Sequence, residues 1–191
     1  MKSPSKPYFW IVLYEAEIKG IKVSAENALS HITELVEKLM QHAEETPHGI
    51  IGLCVAIHGL VDQEEIVFTP NYTLQSDLKV QLEDVYPFYV HLENEANLAA
   101  LGEYTFGSSS DSVVSLSIHT GIGAGIVENG KLRTGKTGKA GEIGHSILYP
   151  DGRKCPCGNE GCLEQYASHQ AIYSELEQML AVPDINSSLV I

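Results

Sequence analysis

The most informative part of this chain reads GEIGH at residues 141–145 and CPCGNEGCLE at residues 155–164. The three cysteines of the second segment have the spacing C-x-C-x4-C, and a loop with glycines can fold three thiolates around one metal ion. Zinc takes four nitrogen or sulfur donors in a tetrahedron, so one ligand is missing from the loop. His145, ten residues before Cys155, is the expected fourth ligand. The alternative is three reduced thiols in a surface loop, which would be prone to oxidation.

The remaining cysteine, Cys54, stands apart in an apolar run at residues 50–57. Clustering of the other three, Cys155, Cys157 and Cys162, favours a metal site over a disulfide framework. Four protein ligands would close the coordination sphere, so the zinc is predicted to be structural. Cys54 is predicted to be a buried thiol of the core.

The composition is that of a globular chain. It has 191 residues, 43% of them hydrophobic and 19% charged, which is enough for one large domain or two small ones. The formal net charge of −13 opposes contact with nucleic-acid phosphates. No apolar run approaches the roughly 20 residues of a membrane span, and the first seven residues do not resemble a signal peptide. The expectation is a cytoplasmic protein without a membrane partner.

Apolar patterning predicts alternating strands and helices, and therefore an α/β fold with a largely parallel sheet. Gly49 to Ile57 is predicted to be a strand buried on both faces, and Ser24 is the predicted N-cap of a helix that extends to Met40. Polar residues 108–112 mark a boundary between a first unit, 1–110, and a second, 111–191. The other predicted strands are 8–14, 18–23, 89–92, 113–119 and 125–128, and the other helices are 74–85, 95–104 and about 165–180.

These motifs resemble the signature of the ROK family (repressor, open reading frame, kinase) in wording and spacing. Three further segments are similar to family motifs in the same order, and the resemblance extends from about residue 49 to 170. It implies an actin-like ATPase (ribonuclease H-like) fold of two lobes with sugar in the cleft, here with a truncated second lobe. The three segments are HGLVD at 58–62 with TPN at 69–71, ENEAN at 93–97, and AALGE at 99–103.

The resemblance also implies site residues. Four positions match family residues that hydrogen-bond sugar hydroxyls: Asn94, Glu142, His145 and Glu164. Glu95 matches the catalytic aspartate position and adds to the sugar-binding set, and the zinc ligands match His145, Cys155, Cys157 and Cys162. Carboxylates and amides can satisfy a ring of hydroxyls, each both donor and acceptor. Read alone, the same side chains would be solvated loop and helix-cap residues. No role is expected for His58, His91 and His119.

Departures from the kinase pattern favour a sensor. Glutamate in place of aspartate moves the carboxylate of Glu95 by about 1 Å, a displacement that can cost about a hundredfold in rate. The amino-terminal phosphate loop of the family is absent, and Tyr14-Glu15-Ala16-Glu17 stands there instead. The chain ends at Ile191, before the expected adenine pocket.

One kinase-like feature remains at residues 120–125, TGIGAG, which resembles the second phosphate loop of the family. Thr120, Gly121 and Gly123 are its candidate phosphate contacts. The alternative interpretation is a tight hairpin, which also uses glycines. The alternative function is an ATP-dependent sugar kinase of the glucokinase or N-acetylhexosamine kinase type, which would need ATP and Mg²⁺ with Glu95 as the base. A further alternative is a remnant whose zinc loop only folds the domain.

The resulting hypothesis is the sugar-sensing effector region of a ROK transcriptional repressor with structural zinc. Xylose is the first expected ligand and glucose the second, because glutamate in place of aspartate at position 95 resembles the xylose-repressor branch of the family. No helix-turn-helix fits before residue 8, so DNA contact is expected only through a domain outside this chain. A homodimer is the expected assembly.

Overall fold

The computed structural model describes residues 12, 14–42, 48–70, 74, 76–107 and 110–180 of the chain. The predicted strand at 8–14 therefore lies almost wholly outside the described residues. The elements in chain order are helix α1 (Ala28–Met40), strands β1 (Gly52–Ile57), β2 (Leu60–Asp62) and β3 (Glu65–Phe68), helix α2 (Leu78–Val85), strand β4 (Tyr89–Asn94), helix α3 (Glu95–Gly102), strands β5 (Val113–Ile118), β6 (Ile122–Glu128) and β7 (Lys131–Leu132), and helices α4 (Glu164–Ala167) and α5 (His169–Leu180).

Helix α1 forms where the apolar spacing predicts it, with its start shifted. The predicted N-cap Ser24 gives way to Asn27, and Ser24 instead holds Asn27 by donating its backbone N–H to Asn27 Oδ1 over 2.8 Å. The apolar face of α1 packs with α2 and the β1–β4 pair into one core. Its buried members are Val36, Ile57, Val61, Ile66, Leu78, Leu82, Tyr86, Val90 and Leu92.

Strands β1 and β4 pair in parallel, with Gly52 opposite Tyr89 and Ile57 opposite Asn94. Both strands therefore end at the same edge of the sheet, where loops that follow parallel strands commonly form ligand sites. One prediction about β1 is wrong. Its burial alternates, and Cys54 is exposed on the outer face instead of buried in the core.

The hairpin formed by β2 and β3 is absent from the sequence-based prediction. Its turn residues Gln63 and Glu64 have φ values of 50° and 64°. This left-handed conformation is usually adopted by glycine, and neither turn residue is a glycine, so the sequence gives no signal for the turn. Contacts from the α2 and β4 side hold the turn: Lys79 and Tyr89 donate hydrogen bonds to Glu64, and His91 Nδ1 lies 2.7 Å from its carboxylate. The Lys79 ammonium and then the Tyr89 hydroxyl lower the pKa of Glu64 to about 2.

Strands β5, β6 and β7 form an antiparallel sheet against which α3 packs. Small residues permit this approach. A Cβ on Gly125 of β6 would lie 2.1 Å from the carbonyl oxygen of Ala96 and 2.6 Å from Ala100 Cβ. Helix α3 ends at Gly102 and continues into a wider π-helical turn, Glu103–Gly107.

Replacing Gly125 with alanine is expected to lower the free energy of unfolding by about 2–3 kcal/mol, because the added methyl would force α3 from β6. Gly102→Ala is the matched control: a Cβ there meets nothing within 4 Å. Alanine in this helical position should raise the free energy of unfolding by up to about 1 kcal/mol. Urea unfolding of both variants checks the contrast, and equal stabilities would contradict the packing described.

Three other predictions are corrected. Parallel pairing among the described strands is confined to β1 and β4, so the sheet is not largely parallel. Residues 18–23 form no strand. The last helix is interrupted at Ser168, whose hydroxyl accepts the Ala171 N–H over 3.1 Å at the start of α5. The mixed α/β class is confirmed. Across the described part of the chain, helices lack the length and apolar character needed to cross a membrane.

Candidate functional site

The four predicted metal ligands lie together. One ligand atom from each of His145, Cys155, Cys157 and Cys162 falls within 4.8 Å of all the others. Cys155 Sγ lies 3.5 Å from His145 Nδ1, and the sulfurs of Cys157 and Cys162 are 3.6 Å apart. Three sulfurs and one imidazole nitrogen form a donor set suited to zinc. These residues can hold a metal ion.

Burial favours the neutral form of two of the three cysteine thiols in the cluster. Desolvation raises the pKa of Cys155 and of Cys162, both of which are buried. A bound cation would reverse this preference, because it takes the thiolate form and displaces the proton. Cys157 differs from Cys155 and Cys162: hydrogen bonds from the Asn159 backbone and from those two cysteines outweigh desolvation and lower the pKa of its thiol.

Backbone contacts shape the loop that carries the cysteines. Ile147 pairs with Cys162 and Lys154 with Glu160 in two isolated antiparallel bridges. Gly161 has a φ of 78°, and a Cβ there would lie 1.6 Å from the carbonyl oxygen of Tyr149. Only glycine fits this position, so the second glycine of the CGNEGC segment closes the loop.

A cavity of about 630 Å³ lies beside the metal cluster. It opens between the carboxyl ends of β1 and β4, the β5–β6 turn and the segment that contains Glu142. All five predicted sugar-binding residues and all three predicted phosphate-loop residues line it: Asn94, Glu95, Glu142, His145, Glu164, Thr120, Gly121 and Gly123. That volume is in the range of small-molecule sites.

Asn94 and Glu95 form the cavity wall where β4 passes into α3. Asn94 Oδ1 accepts the N–H groups of Ala96 (2.8 Å) and Asn97 (3.2 Å), and its Nδ2 donates to the Gly59 carbonyl over 2.8 Å. Asn94 is thus a helix N-cap that also ties α3 to the β1–β2 turn, and one Nδ2 hydrogen remains available to a ligand. Glu95 Oε2 is buried and has no hydrogen-bond partner among the described residues. Burial raises the pKa of the Glu95 carboxyl.

Glu142 and Glu164 flank the imidazole of His145. Glu142 Oε2 lies 3.7 Å from Nε2, and Glu164 Oε1 lies 3.7 Å from Nδ1. Burial raises the pKa of Glu142, with His145 opposing that shift. Together with Glu95, these carboxylates give the cavity an excess of hydrogen-bond acceptors. Such a surface suits a ligand rich in hydroxyl donors and disfavours an anionic one.

The segment 120–125 is the turn and second strand of the β5–β6 hairpin, and packing accounts for its glycines. A Cβ on Gly123 would lie 3.3 Å from Ala96 Cβ, and one on Gly121 would lie 2.9 Å from Glu164 Oε2. The hairpin interpretation is therefore sufficient for the glycines. Phosphate contacts by Thr120, Gly121 and Gly123 stay a prediction.

Sequence reasoning missed several cavity residues: His58, Asn97, His119, Lys139 and Asn159. His58 Nε2 lies 3.8 Å from Glu95 Oε1, although no role was expected for His58 or His119. The usable signal is position, since His58 directly follows β1 and Glu95 directly follows its parallel neighbour β4. His91 instead contacts Glu64, away from the cavity.

Comparison with known proteins agrees with these motifs. Residues 12–188 match the ROK family. The chain is 38% identical to the xylose repressor of Bacillus subtilis (strain 168) over 161 residues, which are 81% of this chain and 42% of the repressor. Since the chain spans less than half of the length of that repressor, the comparison concerns only the matched part of the repressor.

Solved structures give the same result. A ROK family glucokinase from Streptomyces griseus, in complex with glucose and AMPPNP, superposes with a TM-score of 0.71 at 36% identity, covering 81% of this chain and 50% of the kinase. A ROK family transcriptional regulator, a homologue of the E. coli MLC protein, superposes with a TM-score of 0.72 at 29% identity, covering 89% and 46% respectively. The chain belongs to the ROK family.

Proposed function

We propose that this chain is the sugar-sensing effector region of a ROK transcriptional repressor, and that it binds a neutral monosaccharide in the cavity beside the metal cluster. The observation that carries the proposal is the convergence of Asn94, Glu95, Glu142 and Glu164 on one cavity. These residues come from three separate segments of the chain, and solvated surface carboxylates would not be expected to meet there. Identity to a xylose repressor makes xylose the first candidate ligand and glucose the second.

Zinc is the metal that we propose for the Cys155, Cys157, Cys162 and His145 cluster. When bound, it would supply a fixed positive charge and, through its four ligands, link the cysteine loop to the turn that contains His145. That bond would orient the imidazole of His145, which has Glu142 beside its Nε2 and Glu164 beside its Nδ1. Zinc would thus order the ligand-binding carboxylates.

The closest alternative is a sugar kinase, favoured by the likeness to the Streptomyces griseus enzyme. The raised pKa of Glu95 would suit a general base better than an ordinary carboxylate. The longer side chain of glutamate argues against the kinase, because the kinases of this family have aspartate at this position. Glu95 can still accept a hydrogen bond from a sugar hydroxyl, so binding without phosphorylation is the outcome that we propose.

For the intact protein we propose two lobes, approximately 1–110 and the region from 111 onward, in the actin-like arrangement. A sugar that contacts Asn94 and Glu95 on one side and Glu142 and Glu164 on the other would draw the lobes together. In a homodimer, that closure would reposition DNA-binding domains that this chain does not itself provide. The acidic charge of −13 supports assigning DNA contact to another part of the protein.

Isothermal titration calorimetry of the zinc-loaded chain tests the proposal. We expect saturable heat with xylose or glucose that does not change when ATP and Mg²⁺ are added, and no sugar phosphate after prolonged incubation. N-acetylglucosamine serves as the bulkier comparison sugar. Sugar phosphate formed in step with ATP consumption would replace the sensor with the kinase. Absence of heat with every sugar would contradict the ligand assignment.

A further inference from the structure

We infer that Gln165 is a positioning residue that links the metal cluster to the ligand cavity. Its side-chain amide donates to both Cys155 Sγ and Glu164 Oε1, and so keeps a metal-bound thiolate and a ligand-binding carboxylate side by side. The inference rests on the proposed function in that it takes the cluster to be metal-loaded. No motif of the chain singled out this residue, because it follows the last residue of the CPCGNEGCLE segment.

The contacts place Gln165 between two acceptors. Its Nε2 lies 3.6 Å from Cys155 Sγ and 3.3 Å from Glu164 Oε1. Those two acceptors are themselves 3.2 Å apart, and the Glu164 side chain is only 15% exposed. Water therefore has little access to screen one of these groups from the other.

The need for a donor at this point follows from metal coordination. As a thiol, Cys155 donates its S–H to Glu164 Oε1. A metal ion binds the thiolate, so that donor is lost and two anionic atoms face each other at short range. A glutamine amide carries two N–H groups on one nitrogen, one for the sulfur and one for the carboxylate oxygen. Gln165 can therefore satisfy both anions at once.

The backbone of Gln165 is fixed independently of its side chain. The Gln165 N–H donates to the Cys162 carbonyl over 3.0 Å, and Arg153 Nη1 donates to the Gln165 carbonyl oxygen over 2.8 Å. The amide is thus presented to the cluster from a rigid position. Because Glu164 belongs to both sites, the affinity for metal and the affinity for sugar should be coupled, and the coupling must be reciprocal.

Cobalt substitution and metal release provide the test. In Gln165→Leu, which removes both donors, we expect zinc transfer to a chromophoric chelator to be about 10- to 100-fold faster than in the unaltered chain. The sulfur-to-cobalt charge-transfer band of the Co²⁺ form should shift to lower energy, because a thiolate without its N–H donor gives up electron density more readily. A change in packing alone would not produce that shift. Gln170→Leu, at an exposed glutamine of α5 that contacts Ser174, is the matched control and should change neither quantity.

Gln165→Glu keeps the shape of the side chain while adding a negative charge, so it covers the case in which the leucine variant folds poorly. It should lose zinc faster than Gln165→Leu. Release rates and a cobalt band equal to those of the unaltered chain in both variants would overturn the inference. Neither readout involves sugar, so a chain that binds no sugar but shows the expected shifts would overturn the proposed function and leave the role of Gln165 supported.

Discussion

Cys162→Ala is expected to abolish stoichiometric zinc binding and to lower the melting temperature of the metal-loaded chain by about 10 °C or more. The sulfur of Cys162 is fully buried and lies 3.6 Å from Cys157 Sγ, so no solvent molecule can readily replace it as a ligand. Structural zinc sites contribute about 10–16 kcal/mol of apparent binding free energy at neutral pH. Losing even a third of that amount approaches the total stability of a typical domain, about 5 kcal/mol at its lower end.

Metal analysis and thermal unfolding, each with and without a chelator, measure this effect. The unaltered chain should reach the same melting temperature after zinc removal, because the variant and the zinc-free chain both lack the metal that links the four ligand residues. Cys54→Ala is the control, since Cys54 is an exposed cysteine outside the cluster. It should retain one zinc per chain and change the free energy of unfolding by less than about 1 kcal/mol. Full zinc occupancy in Cys162→Ala would remove the residue from the ligand set.

Glu164→Gln is expected to weaken sugar binding by about 10- to 100-fold, which corresponds to the loss of one charge-assisted hydrogen bond. Glu164 lies in the wall of the cavity with its carboxylate largely shielded from water. The amide keeps the size of the side chain but replaces one acceptor oxygen with an NH₂ donor. That donor cannot accept the hydrogen bond that a sugar hydroxyl would donate to the carboxylate. Calorimetry with the sugar that binds the unaltered chain measures the change.

Zinc content must be compared alongside, because Glu164 also contacts Cys155 and His145. Glu160→Gln provides the control on the cysteine loop that precedes α4, since the Glu160 side chain is exposed and does not line the cavity. Its affinity for sugar should equal that of the unaltered chain. Equal weakening by both substitutions would mean that net charge, and not the position of Glu164, determines binding.

The parts of the fold that the sequence predicted are those with strong local signals. The apolar period of α1 and the continuous apolar run that ends at Ile57 both give elements of the right type at nearly the right bounds. The β2–β3 hairpin was missed because Gln63 and Glu64 adopt left-handed conformations without the usual glycine, and contacts from Lys79 and Tyr89 hold them there. Those contacts come from 15 and 25 residues away in the chain, so a local pattern does not contain them.

The site was predictable to a different degree. The metal ligands lie within 18 consecutive residues, from His145 to Cys162, and their spacing alone suggested the cluster. The five sugar-binding candidates were obtained from the resemblance, and their convergence on one cavity required the tertiary fold. The exposure of Cys54 shows the opposite case: an apolar run indicates a strand, but only the packing of the whole sheet determines which face is covered.

The double use of Asn94 has a practical consequence for solution spectroscopy. Its Oδ1 accepts the amide protons of Ala96 and Asn97, while the rest of the side chain faces the cavity and the Gly59 carbonyl. Any ligand that steadies this side chain should slow the exchange of those two amide protons with deuterated solvent, and any ligand that pulls it away should accelerate their exchange. In an isotope-labelled sample, two backbone resonances at the start of α3 would thus act as a built-in reporter of cavity occupancy, without a dye or a coupled assay.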